Sequence, residues 1–129
     1  MPFDLVPSSH RRNRGLRNYH AGRMAEDTVA LGYEARGGTI AERRWRGEGG
    51  EIDLIVETPD TVVFVEVKQS STFDRAAESI SPRQVARIMA AASEYVGRYP
   101  TALSTPMRFD LALVNGRGEH RILENAFFG

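Results

Sequence analysis

Two runs rich in β-branched residues, Glu51-Ile52-Asp53-Leu54-Ile55-Val56 and Val62-Val63-Phe64-Val65-Glu66-Val67-Lys68, constrain this chain more than any other feature. Such residues suit a pleated, half-buried surface, and Thr58-Pro59-Asp60 between the runs favours a turn, so together they read as an antiparallel hairpin. Side chains alternate along a strand, which puts Val62, Phe64, Glu66 and Lys68 on one face and sets Asp53 and Ile55 against Ile52, Leu54 and Val56. With Thr58 to Thr61 as the loop, Glu57 pairs with Val62, Ile55 with Phe64, and Asp53 with Glu66.

That register brings two carboxylates across from one another with Cβ atoms roughly 4.5–5.5 Å apart. Two unit charges about 5 Å apart repel by roughly 3 kcal/mol at an effective dielectric of about 20. A divalent cation between them turns the cost into a gain, and oxygen ligands of this kind suit Mg²⁺ or Mn²⁺. Lys68 lies two residues on, on the face of Glu66. It is the single lysine among 17 basic residues, the rest being arginines. A lysine there offers a compact ammonium that can hydrogen-bond a water or a phosphate as a point charge. The same three residues also read as a surface ion pair, Glu66 with Lys68, at a fraying strand end, with Asp53 in a turn.

At 129 residues the chain is expected to be one domain with a single core. Zero cysteines excludes disulfides, thiolate metal sites and cysteine nucleophiles. No apolar run approaches the length of a membrane span and Met1-Pro2-Phe3-Asp4 begins no secretory signal, so a cytoplasmic protein without a membrane partner is expected. The formal charge is zero, yet Arg11, Arg12, Arg14, Arg17 and Arg23 cluster with no acid among them.

Residues 1–18 read as a mobile basic arm able to lie along phosphates, or as a solvated tail, ahead of a single domain over 19–129. A first helix is expected from Tyr19 to about Arg36, with Ala21, Met24, Ala25, Thr28, Val29 and Leu31 as its apolar stripe and Gly37-Gly38 as its end. Glu26 sits on the flank of that stripe. It is placed either to reach the Asp53–Glu66 pair or to serve the helix dipole or a local ion pair. A strand follows over Thr39 to Arg46, then a turn at Gly47-Glu48-Gly49-Gly50 that lacks the lysine and hydroxyl of a P-loop. Trp45 and the flanking arginines, Arg43, Arg44 and Arg46, suit nucleic acid, while a lone Trp on a strand also suits core or edge packing.

Gln69 to Glu78 is polar and reads as a mobile loop. A second helix opens with Ser81 as N-cap and Pro82 at its first position, and Val85, Ile88, Met89, Ala92, Tyr95 and Val96 form its stripe. Arg83, Gln84 and Arg87 occupy its first turns, where backbone amides favour anions. Met107 to Val114 alternates as a strand, Asn115-Gly116 is a hairpin turn, and His120 to Leu123 is a last strand.

A helix bearing an acid, a hairpin with Asp then Glu-x-Lys, and a following helix and strand resemble the core of the PD-(D/E)xK nuclease superfamily. More narrowly, Gly22-Arg-Met-Ala-Glu-Asp27, Gly50-Glu-Ile-Asp-Leu-Ile55, Val63-Phe-Val-Glu-Val-Lys68 and Glu124-Asn-Ala-Phe127 resemble the bacterial YraN-type family, predicted to be related to archaeal Holliday-junction resolvases. The resemblance implies an α/β, restriction-endonuclease-like fold: a central mixed sheet with an antiparallel hairpin core flanked by helices, in the order α-β-β-β-α-β-β. It implies a catalytic set of Lys68, Glu26, Asp53 and Glu66, in which Asp53, Glu66, Glu26 and the Val67 carbonyl hold Mg²⁺ or Mn²⁺ and Lys68 orients or activates the attacking water. Gln84, where relatives commonly carry a lysine, and Gln69-Ser70, where they often carry an arginine, remove positive charge from near the expected phosphate.

The leading expectation is therefore a divalent-metal-dependent nuclease acting on DNA, branched or damaged structures included, with Arg14, Arg17, Arg23, Arg46, Arg83, Gln84 and Arg87 as nucleic-acid contacts. The alternative is a non-catalytic nucleic-acid- or partner-binding protein that keeps the nuclease fold. The junction-cutting enzymes act as dimers, which leaves a homodimer open.

Overall fold

The hairpin forms in the register its turn dictates. A computed structural model describes residues 9–127, with side chains described from Gly22 on. In it β2 (Glu51–Glu57) and β3 (Val62–Gln69) pair antiparallel through Glu57↔Val62, Val56↔Val63, Ile55↔Phe64 and Leu54↔Val65. Thr58 closes the turn: its Oγ1 accepts from Thr61 N at 3.0 Å and donates to Thr61 O at 2.9 Å. An Asx- or Ser/Thr-type local bond of this kind fixes loop length, and loop length fixes register.

The sheet has five strands in the order β1-β2-β3-β4-β5, with β1 (Thr39–Arg46), β4 (Met107–Val114) and β5 (His120–Leu123) completing it. Only the β3–β4 pair is parallel, so the sheet is mixed, as expected. Two helices sandwich it. α1 (Ser9–Ala35) covers Leu54, Val56, Val63, Val65, Ala112 and Val114 with Ala25, Val29, Ala30 and Tyr33. On the other face a helix over Pro82–Val96 covers Ile55, Phe64 and Phe109 with Ile88, Ala91, Ala92, Tyr95 and Val96.

Three expectations change. α1 buries Ala25, Val29, Ala30 and Tyr33, whereas Met24 and Leu31 are 68% and 66% exposed, so the stripe is rotated from the one read in the sequence. The helix also takes in residues 9–18 of the stretch assigned to the arm; residues 1–8 lie outside the described residues. Finally, the polar segment after β3 is not all loop. It holds a short helix, α2 (Phe73–Glu78), capped by Thr72 accepting from Arg75 N at 3.1 Å. Ala76 is buried with Leu111 and Leu113, and Phe73 packs against them, which secures a helix too brief for periodicity to mark.

The second long helix, α3 (Pro82–Val96), starts as expected with Ser81 as N-cap and Pro82 first. Gln84 completes a capping box: its backbone N donates to Ser81 Oγ at 3.1 Å and its Oε1 accepts from Ser81 N at 3.2 Å. Trp45 takes the packing alternative, edge-on to Tyr95 with ring centroids 5.2 Å apart.

Asp110 on β4 is fully buried and fully partnered. It accepts from Tyr33 Oη at 2.7 Å, from Arg108 Nε and a terminal nitrogen at 2.9 Å each, and from Asn125 N at 3.0 Å. The Glu124-Asn-Ala-Phe segment is thus an anchor: Asn125 takes a left-handed turn (φ 56°), Ala126 N donates to Phe109 O at 2.9 Å, and Phe127 packs near Phe109. Phe128 lies outside the described residues. A hydrogen bond to a buried charge contributes about 1.5–3 kcal/mol, and breaking a buried ion pair from one side costs about 3–5 kcal/mol. Tyr33→Phe is expected to cost about 1.5–2 kcal/mol in urea unfolding and Asp110→Ala about 3 kcal/mol or more. Variants both within half that range of the native chain would show the network to be incidental.

Candidate functional site

The β2–β3 ladder ends where the acids begin. Backbone pairing of β2 with β3 stops at Leu54↔Val65, and one residue further Asp53 turns its carboxylate to the neighbouring strand, where Oδ2 accepts from Val67 N at 2.8 Å. An N–H and C=O of one strand residue point to the same side, so the Val67 carbonyl faces the same gap.

The alternation breaks at the same place. Ile52 packs in the α3-side core with Ile55 and Trp45, not with Leu54 and Val56 on the α1 side. Across the ladder, between Arg43↔Leu54 and Trp45↔Ile52, Arg44 has a left-handed backbone, φ 51°. Regular alternation is expected to put Arg43 and Arg44 on opposite faces. Instead both reach α1, Arg43 to Asp27 at 2.7 Å and Arg44 Nε to Glu26 Oε1 at 3.0 Å.

Asp53 and Glu66 lie within hydrogen-bonding reach of each other, and Lys68 Nζ is 3.4 Å from Glu66 Oε2. Burial is the main cause that raises the Asp53 carboxyl, with the charge of Glu66 second and the Val67 N–H opposing; together they lift it to about 7. Burial also raises Glu66, against the pull of Lys68. Glu26, 7% exposed, is raised by burial and by the charge of Asp53 while Arg44 holds it down.

Asp53 and Glu66 floor an open cleft of about 560 Å³ between the β1–β2 loop, β2, β3 and α3, while Glu26 and Lys68 lie outside its lining. Of the basic and polar residues expected to meet a phosphate, Arg46, Gln84 and Arg87 line it. Arg83 is exposed next to Gln84 on α3 and Arg23 is exposed on α1, both outside the lining. The side chains of Arg14 and Arg17 lie outside the described residues.

The loop glycines do more than turn the chain. A Cβ on Gly49 would come within 2.9 Å of Ala90 Cβ, and one on Gly50 within 3.1 Å of Arg87 Cβ. Only glycine lets this loop close against α3 and shape the cleft wall.

Two features escaped the sequence reading. Glu51 lines the cleft and its charge raises Glu26, Asp53 and Glu66 alike; it is paired with Arg46 at 3.5 Å. Its place just before Asp53 was the available signal. Arg44 is one of the arginines flanking Trp45 that the sequence offers to nucleic acid, and only its contact with Glu26 was missed, because regular alternation points it away from α1. Among the described residues no three acidic or imidazole groups gather at metal-ligating spacing, Glu26, Asp53 and Glu66 included. Glu26 is held by Arg44.

A family model described as "Uncharacterised protein family UPF0102" matches residues 25–114, a segment that contains Glu26, Asp53, Glu66 and Lys68. The chain is 56% identical to a UPF0102 protein of Ruegeria pomeroyi over 115 residues, 89% of this chain and 94% of the relative. It is 48% identical to one of Roseobacter denitrificans, covering 94% and 95%, and 46% identical to one of Dinoroseobacter shibae, covering 95% and 92%.

A raised carboxyl makes protonation favour the folded chain. The Asp53 contribution is full below the ordinary aspartate pKa of about 3.9 and is lost as pH rises through about 7. In EDTA, the unfolding free energy of the native chain should fall by up to about 3 kcal/mol more than that of Asp53→Asn between about pH 4.5 and 7.5, the span the linkage covers. Parallel pH profiles for the two proteins would refute the crowding of these acids.

Proposed function

This chain belongs to the UPF0102 family, the YraN-type family its motifs resemble, and from the geometry of its cleft we propose that it is a divalent-metal-dependent nuclease that hydrolyses phosphodiester bonds in DNA. The observation that carries the reading is the crowding of Asp53 and Glu66 on the floor of a cleft lined by Arg46 and Arg87, with Lys68 3.4 Å from Glu66. The fold we take as restriction-endonuclease-like, on the helix acid, the hairpin and the Glu-x-Lys strand.

The residues present fit a hard cation. Two carboxylates and a main-chain carbonyl are the oxygen donors that Mg²⁺ or Mn²⁺ takes, the remaining positions going to water and phosphate oxygens. Asp53, Glu66 and the Val67 carbonyl are the ligands in this reading. When bound, the ion supplies Lewis-acid polarisation and neutralises the charge that builds on the scissile phosphate.

The chain's own groups do the rest. Lys68 donates to the attacking water and holds it in line with the phosphorus. The water oxygen forms the new P–O bond, its proton leaves to solvent, and the departing ester oxygen takes a proton from solvent as the old P–O bond breaks. Arg46 and Arg87 hold the flanking phosphates as charge-assisted contacts. No element of the cleft reads base edges, which suits a substrate recognised by shape, branched or damaged DNA included.

One observation favours the non-catalytic alternative. The Gln84 side chain is engaged in capping α3, so the cleft takes no cation from that position.

Mn²⁺ at about a hundredfold over its Kd should raise the melting temperature by about 5–10 °C, and should leave Asp53→Ala unmoved. Lys68→Ala should keep the shift and lose cleavage of plasmid and four-way-junction DNA by about a hundredfold or more. Equal cleavage by the native chain and Lys68→Ala overturns the chemistry; DNA binding with no cleavage by the native chain in Mg²⁺ or Mn²⁺ favours the binding protein.

A further inference from the structure

Glu26 carries the acid of α1, yet the group it touches is a guanidinium. Arg44 Nε lies 3.0 Å from Glu26 Oε1, with the Glu26 side chain 10% exposed and that of Arg44 34%. Arg44 sits across the β1–β2 ladder from Asp53, between the pairs Arg43↔Leu54 and Trp45↔Ile52. Its left-handed backbone, φ 51°, is unfavourable for a residue with a side chain and persists only where the surroundings impose it. Two contacts do so here: Trp45 is held in the α3-side core, and Arg43 is held by Asp27 on the α1 side. Gly22, one turn before Glu26, lies alongside the Arg44 side chain: a Cβ there would make an ordinary contact, 3.7 Å, with an Arg44 terminal nitrogen.

The strain and the buried acid hold one guanidinium on Glu26, whose carboxyl feels the charge of Asp53, from a β1 residue that lies across the ladder from Asp53. A planar guanidinium matches the two oxygens of a phosphate, and one already oriented by a carboxylate loses little freedom on binding. Glu26, tied to Arg44, adds no net charge to the two acids next to it.

We propose that Arg44 is a phosphate-contacting residue of this site, entering from the α1 side, and that Glu26 is its positioning residue and not a metal ligand. The proposal rests on the nuclease reading above, and it names what that reading left open, the cation facing the phosphate opposite Arg46 and Arg87.

The test measures metal and DNA separately on the full-length chain. Mn²⁺ affinity is taken by calorimetry, and the affinity for a fluorescent four-way DNA junction is taken in Ca²⁺ over a range of salt. In Glu26→Gln and Arg44→Ala, the Mn²⁺ Kd should stay within about threefold of the native chain, while DNA affinity falls about tenfold in each and no further in the double variant. The slope of log affinity against log salt should shrink by about one in Arg44→Ala and be restored in Arg44→Lys, which a merely structural role would not move. Arg44→Lys also stands in if Arg44→Ala fails to fold, its expected result then being a native salt slope with affinity reduced by the loss of bidentate geometry.

A loss of Mn²⁺ affinity in Glu26→Gln as large as in Asp53→Ala overturns the proposal, and so does unchanged DNA affinity in Arg44→Ala. A native chain that binds the junction but not Mn²⁺ overturns the nuclease reading instead, and the DNA arm still decides for or against Arg44.

Discussion

The register of one hairpin governs everything this protein can do. A four-residue turn, closed by Thr58 on Thr61, sets Glu57 against Val62, and from there every pair to Leu54↔Val65 follows. The next step along brings Asp53 to Glu66. A slip of one residue would move Glu66 to the α1 core and put Val65 into the cleft, since side-chain period in a strand is two. Such a slip would also bury a carboxylate among Leu54, Val56 and Val63, so the apolar face and the acidic site enforce the same register from opposite ends.

The molecule holds buried acids in two contrasting ways. Asp110 has four hydrogen bonds from Tyr33, Arg108 and Asn125, and it ties α1, β4 and the last turn together. Asp53 has the Val67 N–H, a second acid and the charge of a third nearby, and its carboxyl is driven up accordingly. Both are burials of a carboxylate in one small domain, yet only one is satisfied. A sequence that can build the Asp110 network has the means to neutralise Asp53 in the same way. That it instead sets two acids together in an open cleft is the local conflict expected where stability has been given up for a function.

Most of the fold could be read from residue type and spacing because those signals were local. The strands, the turn and the Ser81 cap all follow from patterns within a few residues, whereas the mixed sheet was implied by the family resemblance. What escaped was set by contacts at a distance. Met24 and Leu31 fit a helical stripe as well as Ala30 and Tyr33 do, and only the position of the sheet decides which is buried. α2 exists because Phe73 and Ala76 find Leu111 and Leu113, residues far along the chain. Glycines 49 and 50 look like turn residues until α3 is seen lying against them. Within the site, Asp53, Glu66 and Lys68 were legible because strand alternation holds along β3. The contact of Arg44 with Glu26 was not, because alternation fails on β1 at that residue.

The break at Arg44 and Asp53 also accounts for how the site can draw on both layers. A regular strand commits each side chain to one face, so acids opposite one another on β2 and β3 would see only α3 and the loop above it. With the step in place, Ile52 and Trp45 cross to the α3 core while Arg43 and Arg44 turn to α1. Asp53 lies in the plane between, bonded to β3 along the sheet and not perpendicular to it. The irregularity is therefore the joint at which the α1 acid, the hairpin acids and the cleft rim meet. A straightened β1 would leave Glu26 facing a different partner, with Arg44 on the far side of the sheet. Strain of this kind survives in a small domain only when both flanks are pinned, and the flanking residues here, Arg43 and Trp45, each have a partner that pins them.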